Sequence, residues 1–523
     1  MGSTRTLMEN EDDFWIEDDE GANVVVEGQH KNHHATTTLT GQSNSDDGLW
    51  ISSTFNNPSK VILVVLTDPD LLDCPICLEP LCSLIYQLIA KLNSIQNSSN
   101  PCSISILTGN LIKMAMRVDY NMMITSAIIV AAISLISSIT AAAKVPGIIN
   151  VVNIGAIADG VTDSTLSFQS AWASACSSSK PVTIYVPAGR FFLRSAYFQG
   201  ERCNNKAISF VIDGTLLAPT DYGKSSSDVW IKFEKTTGVS ISGGSLDGRG
   251  TALWACKHSS SSCPTGATTL GFYNSRNIVI TGLSSINSQK FHIVMDGCQN
   301  VKLQGITISA PGNSPNTDGI HIESSSGITV LNSRIATGDD CVSIGPGSSN
   351  LWIQSIACGP GHGVSIGSLG WTAQEAGVQN VTVKTVTFRS TENGVRIKTW
   401  ARESNGFVKG VVFEDLTMIQ VQNPVIIDQN YCPGEHNCPH QASGVTISDI
   451  LYEDIHGTSA TEVGVKLDCS KEHPCSGIKM EDVNLSYDNR PAHVSCINAL
   501  GTTGGGRGAA AVIHRTTSTS CLM

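Results

Sequence analysis

The sequence predicts an all-β solenoid, a parallel β-helix, over residues 147–523. Three observations carry that prediction: the composition, a repeat of short apolar segments, and a second repeated series that aligns with no gaps. In composition, only 15% of residues are charged and 6% aromatic, while 48 of 523 are Gly. An average soluble domain carries about a quarter charged residues. Abundant Val, Ile, Ser and Thr with so little charge favour stacked strands over helices. The hydrophobic share of 41% supports a substantial core and excludes global disorder.

The repeat begins after Gly147, where short apolar triplets follow Asn or Gly. Asn277-Ile-Val-Ile280, Asn300-Val-Lys-Leu303, Gly327-Ile-Thr-Val330, Asn350-Leu-Trp-Ile353 and Asn380-Val-Thr-Val383 recur at steps of 23, 27, 23 and 30 residues. A second series keeps pace: Asp318-Gly-Ile-His-Ile322, Asp340-Cys-Val-Ser-Ile344, His362-Gly-Val-Ser-Ile366, Asn393-Gly-Val-Arg-Ile397 and Asn423-Pro-Val-Ile-Ile427. A period of 22–31 residues holding several short strands is that of a β-helix. Leucine-rich repeats have a similar period, but their Leu pattern is missing. The third and fifth positions of the second series are always apolar and are expected to face the core. The fourth and sixth then face outward.

The N-terminal part reads differently. Residues 1–113 hold 15 acidic and 5 basic residues, against 30 and 28 in the remaining 410. They are expected to be an acidic, mostly disordered extension lying outside the working protein. Within it, Cys74-Pro-Ile-Cys77 resembles the opening of a RING finger of the seven-in-absentia type. Cys82 and Cys102 follow, but there is no His between His34 and His258, so a zinc site is not expected. Residues 114–146 have the form of a secretory signal: Lys113 and Arg117 as basic flanks, the uncharged stretch Ile124–Ala143, then Ala141-Ala-Ala143. Two readings compete. As an uncleaved anchor the stretch is marginal, because six of its residues are Ser or Thr. As a leader it implies translation from near Met116. Thirteen of the 17 Cys follow residue 150, with close pairs Cys432/Cys438 and Cys469/Cys475, and Cys496 and Cys521 bracket the C-terminal stretch. That usage fits disulfides in a secreted chain, as do the sequons at Asn380 and Asn484. No basic surface suited to nucleic acid is present.

The repeat also assembles chemistry. Asp318, Asp340 and His362 occupy one position on three successive coils, and coils stack roughly 5 Å apart. Asp339 adds a third carboxylate, and Arg396 and Lys398 occupy outward positions on the next coil. Crowded carboxylates repel, so at least one should keep its proton to unusually high pH. A protonated acid beside an ionised one is what hydrolysis of a glycosidic bond requires. The two cations would then hold a negatively charged sugar. Asp and His also suit a metal ion, but the adjacent Arg and Lys argue against one.

Ser314-Pro-Asn-Thr-Asp-Gly-Ile-His321, Gly338-Asp-Asp-Cys341, Cys358-Gly-Pro-Gly-His-Gly363 and Arg396-Ile-Lys-Thr399 resemble the four signature motifs of the polygalacturonases, glycoside hydrolase family 28. The resemblance covers about residues 147–500. It implies a right-handed parallel β-helix, without cofactor or metal, that cleaves α-1,4 links of polygalacturonic acid in pectin with inversion. It implies Asp339 as general acid, Asp318 and Asp340 activating water, and His362 tuning the acid. Asn316, Arg396, Lys398 and Tyr431 would bind substrate. Inverting carboxylates stand roughly 6.5–9.5 Å apart to admit the water. A secreted, cell-wall monomer with no stable membrane association is the corresponding expectation. The stretch Gly501–Gly508 departs from the family's last coil. The competing readings are an exo-acting or xylogalacturonan-type variant, a non-catalytic pectin-binding β-helix, a calcium-dependent pectate lyase, and a ubiquitin ligase led by the Cys74–Cys77 segment.

Overall fold

The computed structural model describes residues 147–504 apart from 222–227, 261 and 436–437. The RING-like segment, the leader and Cys521 lie outside the described residues. The described chain winds into two long sheets, one of 18 strands and one of 11. Every strand pairing is parallel except a short antiparallel contact of Ser486 and Tyr487 with Arg490 and Pro491. This is the predicted parallel β-helix.

The 11-stranded sheet carries the second sequence series. Its strands are β1 (Ala196–Gln199), β2 (Val229–Glu234), β3 (Thr268–Tyr273), β4 (Ile293–Asp296), β5 (Ile320–Glu323) and β6 (Val342–Ile344). They continue as β7 (Val364–Leu369), β8 (Asn393–Trp400), β9 (Asn423–Tyr431), β10 (Val463–Asp468) and β11 (His493–Ile497). The register matches the gapless alignment: Ile320 pairs with Val342, Val342 with Val364, Val364 with Val395 and Val395 with Val425. These five are buried, as are Ile322, Ile344, Ile366, Ile397 and Ile427. Each such aliphatic side chain contributes roughly 1.5–3 kcal/mol by leaving water. A one-residue slip would turn the whole column outward, so burial fixes the register.

The first series lies on the other sheet, with Ile278, Val301, Ile328, Leu351, Val381 and Val411 in line. Asn277, Asn300, Asn350 and Asn380 all have φ between 55° and 57°, with Gly327 and Gly410 at the same place in the repeat. A left-handed bend recurs there in each coil, and Asn tolerates it better than other residues with a Cβ. Their amides also stack: Asn300 Nδ2 donates to Asn277 Oδ1 at 2.7 Å, and Asn380 Nδ2 to Asn350 Oδ1 at 3.2 Å.

The helix α1 (Thr165–Ser177) buries Phe168, Ala171, Trp172 and Ala175 against the first coils. Trp172 joins an aromatic group with Phe198, Phe210 and Phe233, and Phe233 stacks on Phe272 at 4.6 Å. The Cys176–Cys203 disulfide ties its last turn down. Disulfides also join Cys256 to Cys263, Cys341 to Cys358, Cys432 to Cys438 and Cys469 to Cys475. The two close pairs are those read from the sequence. Cys298 is a buried free thiol. At the C-terminal side, Ala499–Gly504 forms a strand along Cys475–Tyr487. The departure at Gly501 therefore begins inside a paired strand.

Candidate active site

Asp318 and Asp340 sit where the chain enters β5 and β6, and His362 two residues before β7. The register of the following residues puts the three in one column. The loops are fixed from below. Thr317 Oγ1 bonds Ser314 and accepts from the Gly338 amide of the next coil at 3.1 Å. Gly338 has to be glycine here, because a Cβ would stand 2.1 Å from the Ser314 carbonyl oxygen. Cys341, directly after Asp340, is anchored by its disulfide to Cys358. The His362 amide donates to the Asp339 carbonyl at 2.8 Å. Asn316 stands two residues before Asp318 in left-handed backbone, φ 53°.

The three carboxylates differ in their partners. Asp340 is 1% exposed. Its Oδ1 accepts from Ser365 Oγ at 2.7 Å and Arg396 Nη2 at 3.0 Å, and its Oδ2 from Lys398 Nζ at 3.3 Å. Asp339 Oδ1 accepts from its neighbour's amide at 2.7 Å and lies 3.1 Å from His362 Nδ1. Asp318 Oδ2 accepts from Ser343 Oγ at 2.6 Å. His362 bridges two acids, with Nε2 3.3 Å from Glu392 Oε2. The Tyr431 ring, at the end of β9, lies 5.0 Å from Lys398 Nζ and 5.9 Å from the Arg396 guanidinium carbon.

These environments separate the protonation states. Burial raises Asp318, and the charges of Asp339 and Asp340 push it further above the usual carboxylate range. Burial would raise Asp339 too, but the charge and hydrogen bond of His362 outweigh it and hold the carboxyl well below that range. Burial would lower His362, but Asp339 and Glu392 drive it up to about 9. The crowding expected from the sequence is present, yet the raised carboxyl is Asp318 while Asp339 moves the other way. The His362 shift also has a stability consequence. Its folded value lies above the unfolded value of about 6.5. The contribution is complete below that pH and lost as pH rises through about 9.

One ligand atom each from Asp339, Asp340 and His362 lie within 4.8 Å of one another, a spacing that suits a cation. Arg396 and Lys398 already compensate Asp340 from 3.0 and 3.3 Å, which disfavours one. Seven of the eight residues singled out from the sequence are brought together here, and Asn316 is placed by its backbone alone, two residues before Asp318. Sequence reasoning did not single out Ser343, Ser365 or Glu392. Glu392 alone left a signal, a carboxylate directly before the Asn393-Gly394 step of the repeat.

The family model for glycosyl hydrolases family 28 matches residues 176–505. A polygalacturonase of Prunus persica is 63% identical over 360 residues, covering 68% of this chain and 91% of the relative. An exopolygalacturonase of Platanus acerifolia is 43% identical, covering 66% and 93%. Two solved structures superpose with TM-scores of 0.58. They are an endo-xylogalacturonan hydrolase from Aspergillus tubingensis, at 23% identity over 69% of this chain and all of that one, and a hyperthermoactive exopolygalacturonase from Thermotoga maritima, at 20% over 69% and 91%. At these identities the likeness speaks for the fold, a right-handed parallel β-helix. With the family model spanning well over half of the sequence and the three-carboxylate column inside it, the chain belongs to glycosyl hydrolases family 28.

Proposed function

We propose that the protein hydrolyses α-1,4-galacturonosidic bonds of polygalacturonate with inversion, as a secreted monomer acting on pectin of the cell wall. The observation that carries this is the pair of buried cations, Arg396 and Lys398, set beside three carboxylates on one face. Both pair with Asp340, a single negative charge, so a neutral polysaccharide would leave the second positive charge without a use. A polyanion gives it one, since its carboxylates would otherwise meet only negative charge. The names of the relatives from Prunus persica and Platanus acerifolia support the same substrate. Secretion is supported by the five described disulfides, by the leader-like segment, and by Asn380 and Asn484, which are exposed. Among the described residues no helix is long and apolar enough to cross a membrane.

In this reading Asp339 and His362 store one proton between them. In the empty site it rests on the imidazole. As the glycosidic bond breaks, the leaving oxygen becomes basic and takes that proton from the imidazole through Asp339, and the neutral imidazole regains a proton from water before the next turnover. Asp318, whose raised pKa makes its anion a stronger base, draws a proton from the attacking water. A carboxylate offers about four acceptor positions. Three on Asp340 are taken, which leaves one on Oδ2 to align that water. Asn316 and Tyr431 line the substrate path. Mass spectrometry of products from de-esterified polygalacturonate tests the proposal. Saturated oligomers carrying the mass of one added water are expected. Unsaturated products that vanish with chelator would identify a lyase, and an unchanged polymer a non-catalytic binder.

The same assignment predicts the pH profile. Activity rises as Asp318 ionises and falls as His362 loses its proton, near or below about 9. A kcat/KM still rising above that pH would refute it. Lys398→Gln is expected to lower kcat/KM about 10- to 150-fold, the value of a charge-assisted hydrogen bond of roughly 1.5–3 kcal/mol. The loss should be greater on de-esterified than on methyl-esterified chains. Equal losses would mean that Lys398 serves Asp340 alone.

A further inference from the structure

Asp318 is joined to a line of groups that the proposed chemistry leaves unused. Ser343 Oγ, 2.6 Å from Asp318 Oδ2, also lies 2.8 Å from His321 Nδ1. His321 Nε2 in turn lies 3.4 Å from Glu323 Oε2. The placement follows from the repeat. His321 and Ser343 are register partners on β5 and β6. His321 and Glu323 are two residues apart on one strand, so both side chains leave the same face. Phe291 stacks on the imidazole with centroids 4.9 Å apart and planes 24° apart, which fixes the ring. Exposure increases along the line. Ser343 is 3% exposed, while the side chains of His321 and Glu323 are 19% and 33% exposed.

We propose that Ser343, His321 and Glu323 form a proton exit line that clears Asp318 after each hydrolysis. The inference rests on Asp318 being the base. When water attacks the sugar, one of its protons passes to the Asp318 carboxylate, and the next turnover needs that proton gone. Asp318 is only 6% exposed, so a bound sugar cuts it off from bulk water. The protonated carboxyl donates to Ser343 Oγ, and Ser343 passes its own hydrogen to the lone pair on His321 Nδ1. The imidazole, carrying hydrogen on Nε2, becomes an imidazolium and releases a proton through Glu323 to water. One proton enters at Asp318 and one leaves at Glu323, with no change of oxidation state. The Ser343 hydroxyl finishes turned toward Asp318, as the ionised carboxylate requires. Exchange with bulk water restores the starting imidazole tautomer. His321 and Ser343 are thus positioning residues that act through Asp318.

The test is steady-state kinetics on polygalacturonate for wild type, Asp318→Asn, His321→Gln and Glu323→Gln, with imidazole added near pH 6.5. Gln at 321 can still hydrogen-bond Ser343 but cannot relay a proton. Expected for His321→Gln is a kcat about 10-fold lower with KM nearly unchanged. This is less than the roughly 10²–10⁴-fold cost of losing a direct proton-transfer group. Added imidazole should restore kcat in proportion to its concentration, which a purely structural role would not produce. Should His321→Gln not fold, Glu323→Gln at the exposed end carries the same test with a smaller loss. An inactive Asp318→Asn beside a His321→Gln that matches wild type, or that is slow but unmoved by imidazole, overturns the exit line alone. An active Asp318→Asn overturns the base assignment on which the line depends.

Discussion

Asp339→Asn is expected to abolish turnover, with kcat lower by roughly 10²–10⁴-fold or more, while the protein still folds and loses only the part of its stability that the His362 shift supplies. The substitution keeps the side-chain volume and an oxygen that accepts the Asp340 amide, now at 2.7 Å from Oδ1. What it removes is the group that passes a proton between His362 Nδ1, 3.1 Å away, and the leaving oxygen. It also removes the main reason for the raised His362 pKa, so the imidazole should titrate well below about 9 in the variant. Nuclear magnetic resonance of the His362 ring reads that change independently of activity. Activity within about threefold of wild type would sink the assignment of Asp339 as proton donor.

The column of functional residues was legible because a β-helix converts sequence period into distance. Asp318, Asp340 and His362 are 22 residues apart in each step, and the apolar third and fifth positions fixed the register that aligns them. The cations were legible for the same reason, since Ile397 faces the core between them. The division of labour among the carboxylates was not. Asp339 and Asp340 are adjacent and identical in the sequence, yet His362 holds one and Arg396 with Lys398 the other. Which neighbour a side chain meets depends on rotamers and on loop paths, and neither leaves a periodic trace. The serines illustrate this. Ser343 and Ser365 occupy equivalent outward positions in a Ser-rich chain, and only the folded structure shows each bonded to an acid of the preceding coil. Glu392 lies outside the aligned series, so its contact with His362 had no counterpart in the repeat.

Asp340→Asn is expected to have the opposite character to its neighbour, costing stability as well as activity. Asp340 is 1% exposed and faces two cations whose side chains are 9% and 10% exposed. The carboxylate, guanidinium and ammonium have all given up most of their hydration, and their mutual attraction offsets that cost only while the charges remain. An amide in place of the carboxylate can accept from one of them but neutralises neither. Removing one partner from a buried ion pair costs about 3–5 kcal/mol, and here Lys398 loses its ion pair while Arg396 keeps only Glu392, 3.8 Å away. Urea unfolding monitored by tryptophan fluorescence should therefore place the Asp340→Asn midpoint far below those of wild type and Asp339→Asn. Replacing Lys398 with Met in the Asp340→Asn background removes one uncompensated charge, so the double variant should recover part of the lost stability while remaining inactive. That recovery separates the ion-pair account from simple disturbance of the loop before β6, which a second substitution would only deepen. An Asp340→Asn protein as stable as wild type would show that Arg396 and Lys398 are compensated by other groups.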